Sequence, residues 1–339
     1  MRFHGMMLVR DEEDILPECF DHLLQWIDAI YVMDMGSTDT TWDIVQDYAG
    51  KDKRIVPVLT QPTIFSEGVR SFIFEKYRDR FRNGDWIVKL DADEFYHIKP
   101  QEFVRERLRL GETAVYLAWY YFRLTSKEVL DYESGVVDIA VDRKRPIEQR
   151  RRMFKIADYG EPRMFRFRAS MRWPETGAAF PFNAGYVARE RIPIRHYPHR
   201  DPVQMQKRFR IRSLMNALDP RLSGPHWKLE DWRKDVIDFD PATGIARERS
   251  SPSEGLSCAQ GHTAGHLYEW VPGTALPEIQ STIHLAQPLK RLAQRVVHPL
   301  LLPVLDPFRR PFSRDFVPPR IPDHISAQLR LCDALPRSS

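Results

Sequence analysis

The stretch that decides the fold is WIVKLDADEF, residues 86–95. A mostly apolar run of strand length leads directly into the acidic residues Asp91, Asp93 and Glu94. A buried parallel strand that ends at a polar site has this pattern. In an open α/β sheet, ligands bind beyond the carboxyl ends of the strands, so the acidic residues are predicted to face a ligand crevice.

Asp91 and Asp93 are the predicted cation ligands of this stretch. In an extended segment, residues two apart point to the same side. Two carboxylates on one side suit Mg²⁺ or Mn²⁺ and leave coordination positions for phosphate oxygens. A solvated acidic turn is the alternative for an Asp-x-Asp pair taken alone, and the apolar strand before it favours the ligand site.

The rest of the first 122 residues alternates between strand and helix patterns. Apolar runs predict further strands at residues 6–9, 29–33, 54–59 and 114–119. Helical spacing predicts a helix after most of these strands, including residues 66–81 and 100–110, with Asp14, Ser37, Thr38 and Asp39 as N-cap candidates. This order predicts an α/β fold with a mainly parallel, Rossmann-like sheet covered by helices.

Composition and charge exclude some classes of protein. Of the 339 residues, 42% are hydrophobic and 29% charged, which is ordinary for a globular protein and argues against disorder as the main state. The formal net charge is only +4, but residues 143–152 and 163–172 are rich in arginine. Such patches suit nucleic acid, anionic lipid head groups or anionic sugar-phosphate substrates, and also plain solvated faces. We expect no nucleic-acid partner.

Cysteine spacing and hydropathy bear on location. Cys19, Cys258 and Cys332 fit no metal or redox spacing, which predicts a reduced, cytoplasmic setting. The sequence shows no signal-peptide core and no apolar run long enough to span a bilayer. The apolar segment 296–305 is flanked by arginines. Packing against the core is its favoured interpretation, with peripheral contact at the inner face of the membrane as the alternative.

The sequence patterns divide the chain into three parts. Residues 1–122 are predicted to form an α/β half that carries the ligand crevice. Residues 123–200, which are richer in aromatic residues and arginine, are predicted to pack on this half and complete its site. Residues 201–339 read as a mostly helical and irregular α+β extension, with a helix near residues 203–218.

Four segments carry a resemblance to a known family. They are VRDEE at residues 9–13, DMGSTDTT at 34–41, FSEGVR at 65–70 and LDADEF at 90–95. Together they resemble a bacterial family 2 glycosyltransferase of the Asp-x-Asp type with the GT-A fold, over about the first 125 residues. The sequence departs from the family pattern at Asp11, which stands where the family usually has Asn.

The resemblance implies a reaction and its cofactors. It implies an inverting glycosyltransferase of the hexosyltransferase type that moves a sugar from a nucleotide diphosphate donor, most simply a UDP-sugar, to a hydroxyl of a glycan or lipid-linked acceptor. Assembly of a surface polysaccharide is the expected setting. It further implies Mn²⁺ or Mg²⁺ on Asp93, with Asp91 reaching the ribose or the metal shell, so that the charge of the leaving diphosphate is neutralised.

By the same resemblance, residues 1–122 are expected to bind the nucleotide sugar, and residues 123–200 to supply acceptor-binding and catalytic groups of the same domain. Four residues are expected to contact the donor. Arg10, Glu12 and Asp39 are expected at the base and ribose of the nucleotide. Arg70 is expected to support the diphosphate side.

The catalytic base and a third metal ligand are expected in the later part of the resemblance. A Glu follows an Arg-x-Phe-Arg segment in related proteins, which makes Glu175 the expected base. Asp158, Glu161 and Glu94 are its competitors. His196 is expected to be a metal ligand beside Asp91 and Asp93, because Mn²⁺ accepts imidazole together with carboxylates.

Two alternatives stand beside the glycosyltransferase. One is a catalytically degenerate GT-A domain that acts as a binding scaffold. The other is a sugar nucleotidyltransferase, which would release pyrophosphate, although its usual Gly-rich first loop is missing here. The sequence HTAGH at residues 262–266 lacks the Glu of a zinc protease motif, so that function is discounted.

Overall fold

The computed structural model describes residues 1–66, 68–157, 160–173, 181–218, 231–240, 245–248, 268–277, 279, 318, 320, 321 and 327. The chain divides into two compact units. The first unit comprises residues 1–118, 159–194 and 279–320, and the second comprises residues 119–158, 195–278 and 321–339.

Four parallel strands form one half of the sheet in the first unit. They are β1 (Phe3–Val9), β2 (Ala29–Asp34), β3 (Ile55–Thr60) and β4 (Trp86–Leu90), in the spatial order β4-β1-β2-β3. Helices α1 (Leu16–Leu23), α2 (Thr41–Lys51) and α3 (Val69–Lys76) connect them. Every residue of β1 and of β4 is buried, as expected for central strands covered on both faces. The α/β class and the parallel strands predicted from the sequence are confirmed.

Antiparallel strands extend this sheet beyond β4. The strand β8 (Pro162–Arg166) runs antiparallel to both β4 and β6 (Glu112–Phe122), and lies between them. The short strand β5 (Glu94–Tyr96) follows β4 and pairs with β10 (Ile192–His196). The helix α4 (Pro100–Glu106) and the strand β9 (Tyr186–Val187) complete the named elements of this unit. The sheet is therefore mixed, and a strand far along the chain lies beside the end of β4.

The helix starts differ from the sequence prediction. Helix α1 has Ile15 as its N-cap and helix α2 has Thr40, and neither side chain makes a capping hydrogen bond. Helix α3 begins at Val69 and ends at Lys76, so it is shorter than the predicted 66–81. The N-cap predictions for Asp14, Ser37, Thr38 and Asp39 were therefore wrong by one or more residues. Asp39 nevertheless contacts the start of α2, because its Oδ1 accepts from the N–H of Thr41.

The second unit contains shorter elements. It includes α5 (Ser126–Glu133), α6 (Ile139–Asp142), β7 (Met153–Ile156), α7 (Ile147–Arg150), α8 (Pro202–Leu218), β11 (Ile237–Asp240), β12 (Ile245–Glu248) and β13 (Tyr268–Glu269). A reciprocal capping box between Thr125 and Glu128 begins α5. The helix predicted near residues 203–218 is confirmed as α8. Among the described residues, no helix combines the length and apolar character that a membrane-spanning segment requires.

Candidate functional site

Two loops at the carboxyl ends of β1 and β2 are joined to each other, and we call them the paired loops (residues 10–15 and 35–40). Val9 is opposite Asp34 in the parallel register, so the loops leave neighbouring strands at the same edge. The backbone N–H of Asp11 donates to Ser37 Oγ at 2.9 Å, and Asp11 Oδ1 accepts from the Thr38 N–H at 2.8 Å. The sequence segments VRDEE and DMGSTDTT therefore form one structure.

Glu13 and Asp39 tighten the same pair of loops. Glu13 Oε2 accepts from the Thr40 N–H at 3.1 Å and from its hydroxyl at 2.8 Å. Asp39 Oδ1 accepts from the Thr41 N–H at 3.0 Å and from its hydroxyl at 2.6 Å, while Thr41 Oγ1 also accepts from the Glu12 N–H. Much of the polar character of these segments is thus used between the loops.

Asp34 and Gly36 shape the second of the paired loops. Asp34 is buried, and its carboxylate accepts from the Ser37 hydroxyl at 2.5 Å and from the Thr60 hydroxyl at 2.6 Å. Gly36 has φ +84°, and a Cβ there would lie 2.7 Å from Pro62 Cα. Both the backbone angle and the close approach require glycine.

The residues after β4 form a tight turn, which we call the acidic turn (residues 91–94). The Glu94 N–H donates to the Asp91 carbonyl at 3.2 Å, and β5 starts at Glu94. The extended geometry assumed for Asp91 and Asp93 was therefore wrong, because the chain reverses before Asp93. Asp93 is buried, with 4% of its surface exposed.

Two arginines hold the carboxylate of Asp91. Arg70 Nη2, from α3, donates to Oδ1 at 2.6 Å, and Arg163 Nη2, from β8, donates to Oδ2 at 2.7 Å. The two arginine side chains are 1% and 3% exposed, whereas that of Asp91 is 32% exposed. The carboxylate of Asp91 is therefore partly exposed to solvent, while the two cations that bind it are buried.

Arg163 has further carboxylate neighbours. Its Nη2 also donates to Glu94 Oε1 at 2.5 Å. Its Nη1 lies 3.9 Å from Glu161 Oε2, which is in turn 3.8 Å from the buried Lys89 Nζ. The acidic turn thus rests on a network of alternating charges that joins α3, β4 and β8.

The charges around the acidic turn control its protonation. Burial by itself raises the pKa of Asp91, but the guanidinium groups of Arg163 and Arg70 outweigh burial and hold the pKa at about 2. Burial raises the pKa of the Cys19 thiol, and the nearby carboxylates of Asp93 and Glu12 raise it further. At neutral pH, Asp91 is therefore an anion and Cys19 is a neutral thiol packed under the turn.

A divalent cation fits the donor chemistry of this turn in part. Carboxylate oxygens are the preferred ligands of Mg²⁺ and Mn²⁺. Both oxygens of Asp91 already accept from guanidinium groups, so a cation there would meet two positive charges. In the part of the chain that the structure describes, no group of three or more His, Cys, Asp or Glu side chains is arranged to hold a metal ion.

Part of the sequence, with residues from both units, matches a known family. Residues 6–172 match the model described as Glycosyl transferase family 2, and this segment contains the paired loops, Arg70, the acidic turn and Arg163. This segment is similar to family 2 glycosyltransferases. The predicted α/β fold of the GT-A type agrees with the match and with the mixed sheet.

Individual relatives are more distant. A TPR repeat-containing protein of Synechococcus elongatus is 28% identical over 120 residues, which are 32% of this chain and 25% of that protein. The chain therefore spans about a quarter of the length of that curated relative. Its likeness concerns a segment and not the whole of either protein.

Two solved structures are also similar. S. aureus TarS 1-349 in complex with UDP is 16% identical, with 37% of this chain and 36% of that chain covered and a TM-score of 0.25. The mannosyltransferase PcManGT from Pyrobaculum calidifontis, in complex with GDP-Man and Mn²⁺, is 15% identical, with 49% and 44% covered and a TM-score of 0.29. TM-scores this low carry no structural argument.

The residues expected at the donor from the family 2 resemblance all lie in the first unit. Arg10 has a side chain that is 9% exposed, and its Nε lies 3.8 Å from Asp11 Oδ2. Glu12 and Asp39 belong to the paired loops, and Arg70 is tied to Asp91. The structure brings these residues to one edge of the sheet, and their contacts with a donor stay predictions.

The expected base is not among the described residues, and the expected third metal ligand lies in the second unit. Glu175 and Asp158 lie outside the described residues. His196 belongs to the second unit, where its ring centroid is 5.3 Å from that of Trp119 and 5.0 Å from that of Tyr121. The catalytic role of Glu175 and the metal role of His196 stay predictions.

Sequence reasoning did not foresee that Arg163 pairs with Asp91. It placed Arg163 in an arginine-rich patch and in the Arg-x-Phe-Arg segment. One signal was present, since Arg163 precedes the apolar pair Met164 and Phe165, which is typical of a short strand with a charged end. The strand that this residue would face could not be read from that pattern.

Proposed function

We propose that the chain is a metal-dependent, inverting glycosyltransferase of the hexosyltransferase type. It moves a sugar from a nucleotide diphosphate donor, with a UDP-sugar as the first candidate, to a hydroxyl of a glycan or lipid-linked acceptor. The observation that carries the proposal is the family match over residues 6–172, the same segment in which the paired loops and the acidic turn meet at one edge of the sheet. A place in surface polysaccharide assembly, in the cytoplasm or at the inner face of the membrane, belongs to the same proposal.

Inversion requires a single displacement at the anomeric carbon. The acceptor oxygen forms a bond to that carbon, the bond from the carbon to the diphosphate oxygen breaks, and the acceptor proton passes to a carboxylate base. Glu175 is the proposed base. Negative charge grows on the leaving diphosphate, and the cationic side chains of Arg70 and Arg163 beside the acidic turn favour that charge.

Asp93 is the proposed metal ligand of the acidic turn. Since both oxygens of Asp91 accept from arginines, Asp93 is the better candidate of the two to hold Mn²⁺ or Mg²⁺. The ion would supply neutralisation of the diphosphate charge. Asp91 and the paired loops are then proposed to bind the nucleoside part of the donor.

Release of nucleoside diphosphate tests the proposal. The protein is incubated with UDP-, GDP-, CDP- and TDP-sugars in Mn²⁺, Mg²⁺ or EDTA, without and with glycan acceptors, and the released nucleotide and phosphate species are measured. We expect metal-dependent release of one nucleoside diphosphate, reduced about 100-fold or more in Asp93→Asn. The matched control is Asp47→Asn, an exposed carboxylate on α2 that pairs only with Lys51 among the contacts of the described residues.

Other products would assign a different function. Release of pyrophosphate from a nucleoside triphosphate and a sugar phosphate would favour a nucleotidyltransferase. Donor binding without any turnover would favour the scaffold. Glu175→Gln separates the base from the binding groups, because it should keep donor affinity and lose transfer, and transfer at the parent rate would show that another residue is the base.

A further inference from the structure

Arg163 joins the two ends of the acidic turn. One nitrogen, Nη2, donates to Asp91 at the start of the turn and to Glu94 at its end, at 2.7 and 2.5 Å. Arg163 comes from β8, whose residue Met164 is opposite Val88 in the antiparallel register with β4. The next residue toward the start of β8 is therefore placed at the carboxyl end of β4, where the turn begins.

The turn has only two residues between these anchors, Ala92 and Asp93. Because a guanidinium is planar and its donors are fixed relative to one another, it holds its carboxylate partners in a defined geometry. A lysine in its place would supply a compact point charge without that geometry. The position of Asp93 is thus bounded on both sides by contacts of the same arginine.

We infer that Arg163 is a positioning residue for the donor site: by holding Asp91 and Glu94 at once, it sets Asp93 for the metal and diphosphate of the donor. This inference rests on the proposed function. It adds a role for a residue outside the four sequence segments that carry the family resemblance.

The exposure of the cluster supports a role beyond folding. The side chain of Arg163 is 3% exposed and that of Glu94 is 2% exposed. The side chain of Asp91, the other carboxylate that Arg163 contacts, is 32% exposed. A buried ion pair contributes little net stability compared with an apolar replacement of similar volume. A buried arginine that contacts a partly exposed carboxylate is therefore suited to hold that carboxylate in a fixed position for a ligand.

Variants of Arg163 test the inference against a control on the same strand. Arg163→Gln removes the charge, Arg163→Lys keeps the charge without the planar geometry, and Arg166→Gln removes an equal charge from the exposed end of β8. Binding of UDP, GDP, CDP and TDP is measured by titration calorimetry in Mn²⁺ at neutral pH. Circular dichroism and thermal midpoints show which variants are folded.

Arg163→Gln should weaken nucleotide binding about tenfold or more, equivalent to about 1.4 kcal/mol. Arg163→Lys should lie between Arg163→Gln and the wild type, and Arg166→Gln should stay within about twofold of the wild type. A role in packing alone would lower the thermal midpoint without this graded loss of affinity.

A double variant shows whether Arg163 acts through the turn. In the Asp91→Asn background, Arg163→Gln should have a smaller effect on affinity than in the wild type. A folded Arg163→Gln protein with wild-type affinity would overturn the inference. If the wild type binds none of the four nucleotides, the proposed function fails, and Mn²⁺ affinity measured alone by water-proton relaxation decides the inference: unchanged affinity in Arg163→Gln overturns it, and weakened affinity upholds it.

Discussion

Each unit of the chain contains an aspartate held by two buried or half-buried arginines. In the first unit, Asp91 accepts from Arg70 and Arg163. In the second unit, Asp201 accepts from Arg143 Nε at 2.9 Å and from Arg150 Nη2 at 3.4 Å. The pairs have the same chemistry, but Asp201 is completely buried, whereas the Asp91 side chain is 32% exposed.

The surroundings of the two aspartates explain this difference. Asp201 precedes α8, and its Oδ1 accepts from the Gln204 N–H at 2.8 Å, so its remaining capacity is used to begin a helix. Asp91 follows the parallel strand β4, at the carboxyl end of the strands, where we propose that the donor binds. An arginine–aspartate pair therefore suggests a ligand-binding site only under two conditions. The carboxylate must remain partly exposed to solvent, and it must lie at the carboxyl ends of the parallel strands.

The largest expected effect is on the stability of the second unit. Arg150→Met leaves two buried carboxylates, Asp201 and Asp142, short of a cation, and breaking a buried pair on one side costs about 3 to 5 kcal/mol. Urea unfolding followed by circular dichroism measures this loss. The control is Arg233→Gln, whose pair with Glu133 is exposed on both sides, and its effect should stay within about 1 kcal/mol. Equal losses in the two variants would show that burial does not set the energy of these pairs.

A smaller effect is expected from pH, and it should differ between the units. Burial lowers the pKa of His199 to about 4, against the opposing influence of its partner Asp235 at 3.0 Å. Because the folded pKa lies below the ordinary value of about 6.5, the stability that neutral His199 provides is present above that value and is lost as the pH falls toward about 4. The pKa of Asp91 is lowered to about 2. The stability that the ionised Asp91 carboxylate provides is therefore lost only as the pH falls below the ordinary Asp value of about 3.9.

His199→Gln isolates this difference. The free energy of unfolding of the wild type should fall more steeply than that of the variant between about pH 6.5 and about pH 4. Asp91→Asn should leave the slope in this interval unchanged. Parallel slopes for wild type and His199→Gln would mean that His199 is accessible to protons in the folded state at its ordinary pKa.

Asp91→Asn itself is expected to separate binding from stability. The Asp91 side chain is 32% exposed, so water can partly solvate the guanidinium groups of Arg70 and Arg163 when they lose the carboxylate. The variant should therefore lose about 1 to 2 kcal/mol of stability, less than Arg150→Met. Nucleotide affinity in Mn²⁺ should still fall about tenfold. The two quantities are measured by urea unfolding and titration calorimetry. A stability loss as large as that of Arg150→Met, with affinity retained, would make Asp91 a structural residue like Asp201.

The sequence predicts β1, β2 and β4 well because these strands are buried along nearly their whole length and appear in the sequence as continuous apolar runs. It also places the acidic residues at the end of β4, since that depends only on local order. The contact between Asp91 and Arg163 could not be predicted, because Arg163 lies 72 residues further along the chain. The register of β8 against β4 is set by tertiary packing. The N-cap predictions for Ser37 and Asp39 were wrong because these side chains contact residues that are distant in sequence. Ser37 accepts from the Asp11 N–H, and Asp39 accepts from the Glu13 N–H.

The smallest expected effect concerns Asp11, where the sequence departs from the family pattern. Asp11 has φ +54°, a left-handed conformation that Asn and Asp adopt more readily than other residues with side chains. Its Oδ1 accepts from both the Thr38 N–H and the Thr38 hydroxyl, and the amide oxygen of Asn can accept the same two bonds. Asp11→Asn removes only the negative charge, which lies 3.8 Å from Arg10 Nε.

We therefore expect Asp11→Asn to change stability by about 0.5 kcal/mol and nucleotide affinity by no more than about twofold, measured by urea unfolding and by calorimetry with the four nucleoside diphosphates. In that case the backbone conformation and the link to Thr38 are what the position requires, and either residue supplies them. A change of about tenfold or more for one nucleotide would instead assign the charge of Asp11, acting with Arg10, to recognition of the donor base. The paired loops would then contribute a charged pair, Asp11 and Arg10, to donor binding, in addition to the hydrogen bonds that join the two loops.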